Sequence, residues 1–222
     1  MGGALASAIA GRGEPAHLIH LTRGERGHPT LPAERFAEQL DEEMNRASRA
    51  LNVPFRWAGL RAPLSDARLG EACEAVQDLL VELRPAAVLT HWVGSWHPSH
   101  VQAHIAVRDA VTARRENGQP IDLLYGENCE DLLGFNPTGF ADVSSVQDDW
   151  RQALRAYDLY RRSESDAGSD SPVPYSSYYE AAMKVRGLQA GMERAQTVMA
   201  GSGPMSSQTR EWFTWLDLPE TG

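Results

Sequence analysis

Short apolar runs alternate with longer segments of helical periodicity through the first two thirds of this chain. In one such segment, the apolar residues recur at intervals of three and four, which is typical of one face of a helix; they are Phe36, Leu40, Met44, Ala47 and Leu51. Strands separated by helices of ten or more residues favour βαβ units, whose strands pair in parallel. We predict strands over 17–22, 53–57, 86–91, 121–125 and 139–143, and helices over 1–13, 33–51, 69–83 and 98–115.

This order predicts an α/β fold of the Rossmann-like, three-layer type with a mainly parallel sheet and a helical C-terminal part. The C-terminal helices are expected over 148–162 and 178–197, joined by a polar tract at 163–172 that we predict to be a mobile loop. A single domain over 1–222 is expected, with residues 201–222 as a tail. In such folds the functional site lies in the loops that follow the carboxyl ends of the strands.

Composition excludes several classes of function. The chain has 30 acidic and 21 basic residues, a net charge of −9, and no basic stripe of the kind that binds nucleic acid. It contains no run of about 18 apolar residues that would span a membrane, and no basic segment that would mark a signal peptide. Its two cysteines are too few for a disulfide framework. We therefore expect a cytoplasmic protein that binds neither nucleic acid nor membranes.

The histidines are unevenly distributed, because four of the seven fall within fourteen consecutive residues. A predicted strand ends at His91, and the next helix carries His97, His100 and His104 at spacings that place them within about 60° of one another on one face. Neutral imidazole is a common zinc ligand and a good acid or base near neutral pH, so this cluster suits metal-assisted hydrolysis. Spacing alone does not distinguish His100 from His104 as a ligand.

One of these stretches resembles a known motif. His97-Pro-Ser-His100 is similar to the His-Pro-Asp-His motif of the LmbE/PIG-L family of zinc-dependent N-acetylglucosaminyl deacetylases. The resemblance runs from residue 1 to about 198, and further matching stretches are Leu21 to Gly27, Arg35 with Glu38, Tyr125 to Asp131 with Phe135 and Asp142, and Tyr178-Tyr179 with Arg186-Gly187.

The resemblance implies a site and a reaction. His100 would be a ligand of Zn²⁺, and His97 would stabilise the oxyanion or protonate the leaving amine. Arg35, Glu127 and Asn128 would bind the sugar. The implied reaction removes the acetyl group from an N-acetylated amino sugar or its conjugate, a small-molecule substrate, and leaves acetate and a free amine. Self-association into a homo-oligomer is left open.

Simpler explanations compete with the proposed substrate contacts. Arg35 and Glu38 are three positions apart on a helix, where an exposed ion pair is the usual arrangement. The polar run that begins at Glu127 and Asn128 follows a strand, and a solvated acidic loop would have the same composition.

The sequence also departs from the family. The family's first strand ends in His-Pro-Asp-Asp, which supplies a zinc histidine, a general base and a zinc aspartate just before a Met-Gly-Gly helix start. This chain begins at Met1-Gly2-Gly3, so His100 is the single expected ligand, and Ser99 replaces the aspartate of the second motif.

Two interpretations follow from this departure. Either the natural protein starts 20 to 30 residues upstream and is a deacetylase, or the chain is an inactive relative that acts as a carbohydrate-binding or partner protein. A histidine-based metal-binding regulator has less support. In the first case this sequence lacks the family's first strand. As written, the chain is expected to bind zinc weakly and to show no measurable deacetylase activity.

Overall fold

The computed structural model describes residues 2–28, 30–131, 133–158, 175–203 and 205–216. Its helices are α1 Gly3–Gly11, α2 Ala33–Leu51, α3 Leu69–Leu83, α4 Pro98–Glu116, α5 Gln147–Arg155, α6 Tyr175–Ala190 and α7 Ser207–Glu211. Its strands are β1 Leu18–Thr22, β2 Phe55–Leu60, β3 Ala87–His91, β4 Asp122–Gly126, β5 Gly139–Asp142, β6 Ala195–Ala200 and β7 Thr214–Trp215. The loop predicted at 163–172 lies outside the described residues.

The chain divides into two compact units, and the first combines Gly2–Leu64 with Val143–Ala182. In this unit β1 and β2 form a parallel pair, joined through α2. Helix α2 packs against α5, and its inner face buries Met44 and Leu51. The apolar spacing that predicted this helix therefore describes the face that it buries.

The second unit combines Ser65–Asp142 with Met183–Gly222 and contains a five-stranded sheet of order β3-β4-β6-β5-β7. Strands β3 and β4 are parallel neighbours connected by α4, as predicted for a βαβ unit. Helix α4 packs on both β3 and α3. Strand β4 lies between β3 and β6 and is buried along its whole length, so it contributes to the core of this unit.

The prediction of a mainly parallel sheet needs correction at the C-terminal end. Parallel pairing holds for β1 with β2 and β3 with β4, whereas β6 pairs antiparallel with β4 and β5, and β7 with β5. The physical reason is the direction of β6. This strand enters the sheet after α6, lies between β4 and β5, and runs opposite to both of them.

The helix predicted over 178–197 also ends earlier than expected. Helix α6 stops at Ala190, Gly191 adopts a left-handed conformation with φ of 69°, and Ala195–Ala200 is the strand β6 at the centre of the sheet. A strand buried on both faces shows no alternation of apolar and polar residues, so periodicity does not separate it from a buried helix. The short strand β7 was likewise not predicted.

Among the described residues, no helix combines the length and the apolar character that crossing a membrane requires.

Candidate functional site

Two loops meet at the carboxyl ends of β3 and β4. The strands are in register, with His91 opposite Gly126, so both chains leave the sheet at the same edge. We call residues 92–97 the β3 loop and residues 127–138 the β4 loop. The loops are joined by an antiparallel bridge between Ser95 and Asp131, in which the backbone N–H of Trp96 donates to the carbonyl of Glu130 at 3.1 Å. In addition, Trp92 Nε1–H donates to the carbonyl of Leu133 at 2.7 Å.

His100 lies in the first turn of α4, between these two loops. The Oε2 atom of Glu130 is 2.7 Å from its Nδ1, and Ser95 Oγ and Asn128 Nδ2 lie 3.3 Å and 3.2 Å from the same nitrogen. Burial, and next the charge of His97, lower the pKa of His100 to about 4, so its ring is neutral at pH 7. A carboxylate beside Nδ1 favours a proton there, which leaves the lone pair at Nε2.

A carboxylate contacts His100 although the aspartate of the family motif is replaced by serine in this chain. The family motif has an aspartate where this chain has Ser99, and Glu130 from the β4 loop places its carboxylate against His100 instead. Glu130 is buried, and burial raises the pKa of its carboxyl. The sequence does not single out Glu130, because four polar residues follow β4 and local spacing does not show which of them faces α4.

Three histidine rings stack at the site. The ring centroids of His91 and His100 are 3.9 Å apart with planes at 10°, and those of His97 and His100 are 4.5 Å apart with planes at 30°. The Nδ1 atom of His97 is buried and makes no hydrogen bond within the described part of the protein. His97 is therefore held with its ring against that of His100 at the start of α4.

A catalytic zinc ion usually takes three protein ligands. An imidazole binds a metal through a lone pair in its ring plane, and the nearly parallel planes of His91 and His100 do not converge on one ion. Across residues 2–28, 30–131, 133–158, 175–203 and 205–216, no group of three or more His, Cys, Asp or Glu side chains is arranged to hold a metal. The described residues therefore do not fit a complete zinc site.

His104 occupies a different environment from His100, although both lie on α4. Its side chain is buried, its Nδ1 is 2.9 Å from the carbonyl oxygen of His91, and its ring stacks on Tyr125 at 4.8 Å. Because these contacts tie the helix to the end of β3, His104 is a structural residue. The structure thus separates two histidines that spacing left equivalent.

Glu127 is engaged by residues far along the chain. Arg186 of α6 contacts both of its carboxylate oxygens, with Nε 2.9 Å from Oε2, and Thr197 Oγ1–H donates to Oε2 at 2.6 Å. Asn128 is buried beside it, and its backbone N–H donates to Asp131 Oδ2 at 2.8 Å. Both residues lie at the predicted edge of the sheet, and their contact with sugar stays a prediction.

Arg35 lies in the other compact unit, on α2. Its Nη1 is 2.8 Å from Glu38 Oε2, and its side chain is 73% exposed. This is the solvated pair that the spacing of three predicts. A role for Arg35 in binding sugar rests on the family resemblance alone and stays a prediction.

Asp131 completes the acidic group of the β4 loop. Burial raises the pKa of its carboxyl to about 6, and the charges of Glu127 and Glu130 act in the same direction. Its Oδ1 is buried and makes no hydrogen bond to the described residues. The sequence indicated a site in this loop because the loop follows the end of a strand. The raised pKa of Asp131, in contrast, depends on how the two loops pack together.

Comparison with known proteins identifies the family. A family model described as PIG-L, GlcNAc-PI de-N-acetylase, matches residues 1–111, which is half of the chain. A curated 1D-myo-inositol 2-acetamido-2-deoxy-alpha-D-glucopyranoside deacetylase from Nocardia farcinica is 31% identical over 153 residues. That alignment covers 56% of this chain and 51% of the relative, so the chain spans about half the length of the curated protein it matches.

Solved structures share the fold. A 4-carboxy-2-hydroxymuconate hydratase from Pseudomonas putida matches with a TM-score of 0.71 at 19% identity, over 92% of this chain and 91% of that one. An N,N'-diacetylchitobiose deacetylase from Pyrococcus horikoshii matches with a TM-score of 0.65 at 15% identity, over 90% of this chain and 77% of that one. One scaffold therefore carries both a hydratase and a deacetylase, so the fold does not select the reaction.

Proposed function

This chain belongs to the PIG-L family, as its motifs indicated, and on that premise we propose that it is an N-deacetylase of an N-acetylated amino sugar or its conjugate. The observation that carries the proposal is the placement of His97 and His100 beside the buried carboxylate of Glu130, at the edge of the sheet where β3 and β4 end. The relative from Nocardia farcinica is a deacetylase, which supports the same reaction class.

In this reaction water adds to the acetyl carbon, the carbon–nitrogen bond breaks, and the amine leaves with a proton. We assign proton delivery to His97, which lies at the start of α4 with its ring beside that of His100. Glu130 orients His100 through Nδ1. Positioned acid catalysis of this kind contributes roughly 100-fold to 10,000-fold to a rate.

Zinc is the family expectation, and we propose His100 as the residue that would contact it. Zinc would polarise the acetyl carbonyl when bound. Because the described residues do not complete a three-ligand site, we assign no step to the ion. For the chain as written we expect much less than one zinc per protein by elemental analysis.

A second candidate is a carbohydrate-binding relative without catalysis. The observation that favours it is the same incomplete ligand set around His100. It shares the sugar site with the first candidate and differs in releasing no acetate.

One experiment separates the two candidates. The purified chain is incubated with zinc and methyl N-acetylglucosaminide, and free acetate is measured alongside binding of the glycoside. Acetate from the unmodified chain would support the deacetylase and overturn the expectation that the chain as written is inactive. In that case at least 100-fold less acetate is expected from His97→Ala, and an unchanged rate from His17→Ala, an exposed histidine outside the site. Binding without acetate supports the second candidate, and the absence of both contradicts the two proposals together.

A further inference from the structure

An indole ring is exposed at the mouth of the candidate site. Trp96 in the β3 loop is 58% exposed, and two further large apolar side chains, Val93 in the same loop and Leu133 in the β4 loop, are 41% and 72% exposed. Tryptophan carries a large apolar surface that proteins usually bury, and exposed apolar groups gathered at one place commonly mark a binding site. The exposed indole of Trp96 is therefore a candidate contact for a ligand.

The backbone that presents Trp96 is held in place. Its N–H donates to the carbonyl of Glu130, and the preceding Ser95 is buried with its Oγ 3.3 Å from both the His97 backbone nitrogen and His100 Nδ1. At Gly94 the β3 loop packs so closely on the β4 loop that a Cβ atom would lie 2.0 Å from the carbonyl oxygen of Leu133. The loop that positions the histidines therefore also fixes the base of the indole.

The distance from Trp96 to the histidines fits one part of the substrate. The ring centroids of Trp96 and His97 are 5.9 Å apart. In an N-acetylated amino sugar the amide nitrogen is bonded directly to a ring carbon, so the sugar ring lies next to the nitrogen that His97 would protonate. A ring in van der Waals contact with the indole sits roughly 3.5–4.0 Å away. Since the Trp96 and His97 rings are too close together for a third ring between them, the sugar would lie on the exposed part of the indole, beside His97.

The chemistry of a pyranose matches this surface. One face of the ring presents C–H groups and is apolar, while its hydroxyls project outward from the edge. An indole covers such a face, as aromatic side chains do for other flat ligands with polar edges.

We propose that Trp96 is a specificity-determining residue that stacks on the C–H face of the sugar ring next to the scissile acetamide. The proposal rests on the sugar substrate of the proposed function, but it does not require turnover. It predicts that the site selects ligands by the ring attached to the acetamide and discriminates against acyclic acetamides.

The test is a binding comparison by calorimetry with two probes, methyl N-acetylglucosaminide and the acyclic N-acetylethanolamine. Trp96→Ala is expected to raise the Kd of the glycoside about tenfold, since removing one stacking contact costs roughly that much. Trp96→Phe keeps an aromatic face and is expected to stay within about threefold. The matched control is Leu188→Ala on α6, an 82% exposed apolar residue outside the two loops, which should leave the Kd unchanged.

Several outcomes overturn the proposal. They are an unchanged glycoside Kd in Trp96→Ala, an equal loss for the acyclic probe, a loss in Trp96→Phe as large as in Trp96→Ala, and no measurable binding of the glycoside to the unmodified chain. Urea denaturation of each variant establishes that the fold is intact. The two proposals fail separately: a Trp96-dependent Kd without acetate release contradicts only the deacetylase, and acetate release with an unchanged Kd in Trp96→Ala contradicts only the stacking.

Discussion

His100 and His104 show how two equivalent positions on one helix acquire different roles. Both lie on the face of α4 that points toward the ends of the strands. His104 is enclosed and bonded to the end of β3, whereas His100 lies one turn nearer the loops, against Glu130 and the ring of His97. The two histidines differ in how deeply their side chains are buried, and residue spacing along a helix does not show burial.

This difference gives a stability prediction. His104→Ala removes a buried ring and its contact with the His91 carbonyl, so we expect a loss of about 2–4 kcal/mol in the free energy of unfolding. His100→Ala removes a partly exposed side chain, and its expected cost is about 1 kcal/mol or less, because residues kept for function often contribute little to stability. Urea denaturation measures both, and equal losses would contradict the separate roles.

Glu127 makes the same point for a charged residue. Its carboxylate is held by Arg186, 59 positions later, and by Thr197, 70 positions later. The resemblance to the family draws attention to Glu127 and Arg186 as separate matching stretches, and the structure brings them together as one ion pair.

Helix α6 carries that arginine, and its neighbour Gly187 has a packing role. A Cβ atom at Gly187 would lie 2.7 Å from the carbonyl oxygen of Met192 and 2.8 Å from backbone atoms of Glu193. The absent side chain lets the chain fold back closely after α6 and enter β6. The Arg186-Gly187 pair therefore combines an anchor for Glu127 with a close backbone approach.

A pair of glycine substitutions tests this packing. Gly187→Ala forces a clash with backbone atoms, so we expect a cost of about 1–3 kcal/mol. Gly70→Ala on α3 meets no atom within 4 Å and is expected to be neutral or to stabilise by up to about 1 kcal/mol, because alanine favours helix. In thermal unfolding we expect a lower Tm for Gly187→Ala and an unchanged or higher Tm for Gly70→Ala. A lower Tm for Gly70→Ala together with an unchanged Tm for Gly187→Ala would refute the explanation.

Local pattern predicted some elements well and others poorly. The bounds of α2 and α3 agree with the prediction because both helices bury one apolar face, and a left-handed residue ends each of them, Asn52 and Arg84. Strand β6 begins within the helix predicted over 178–197, because its first four residues are all buried and show no alternation. Its antiparallel direction also depends on where the chain returns from α6, which no local pattern records.

At the scale of the whole molecule, the excess of acidic over basic residues is concentrated in part at the site. The β4 loop places Glu127, Glu130 and Asp131 within five positions, and Arg186 compensates the first of these. Burial of the remaining carboxyls penalises their charged forms. Keeping these carboxyls buried beside the histidines therefore lowers the free energy of unfolding near neutral pH.

The sign of this effect can be worked out for Asp131. Its pKa is about 6 in the folded chain and about 3.9 when unfolded, so the folded state binds the proton more tightly between these values. The stabilising contribution of the protonated form is present below pH 4 and is lost as the pH rises through 6. Asp131→Asn removes the penalty and keeps an oxygen for the N–H of Asn128.

We therefore expect Asp131→Asn to be more stable than the unmodified chain at pH 7.5, with the difference disappearing near pH 4. Urea denaturation at a series of pH values measures the effect. Asp78→Asn, at an exposed position on α3, is the control and should give a difference that does not depend on pH in this way. A constant difference for Asp131→Asn would show that burial does not shift its titration.

Local sequence patterns predicted the alternation of helices and strands, the edge of the sheet where a site would form, and the family to which the motif around His97 and His100 belongs. These are properties of residues a few positions apart, which periodicity and motif spacing record. Contacts between distant segments, in contrast, place Glu130 against His100, pair Arg186 with Glu127, make His104 structural and set β6 antiparallel at the centre of the sheet. Each of these contacts depends on the order of the strands in the sheet, because that order decides which distant segments become neighbours. The free energy that stabilises this order is distributed over the whole packed core and is not set by residues near any one position.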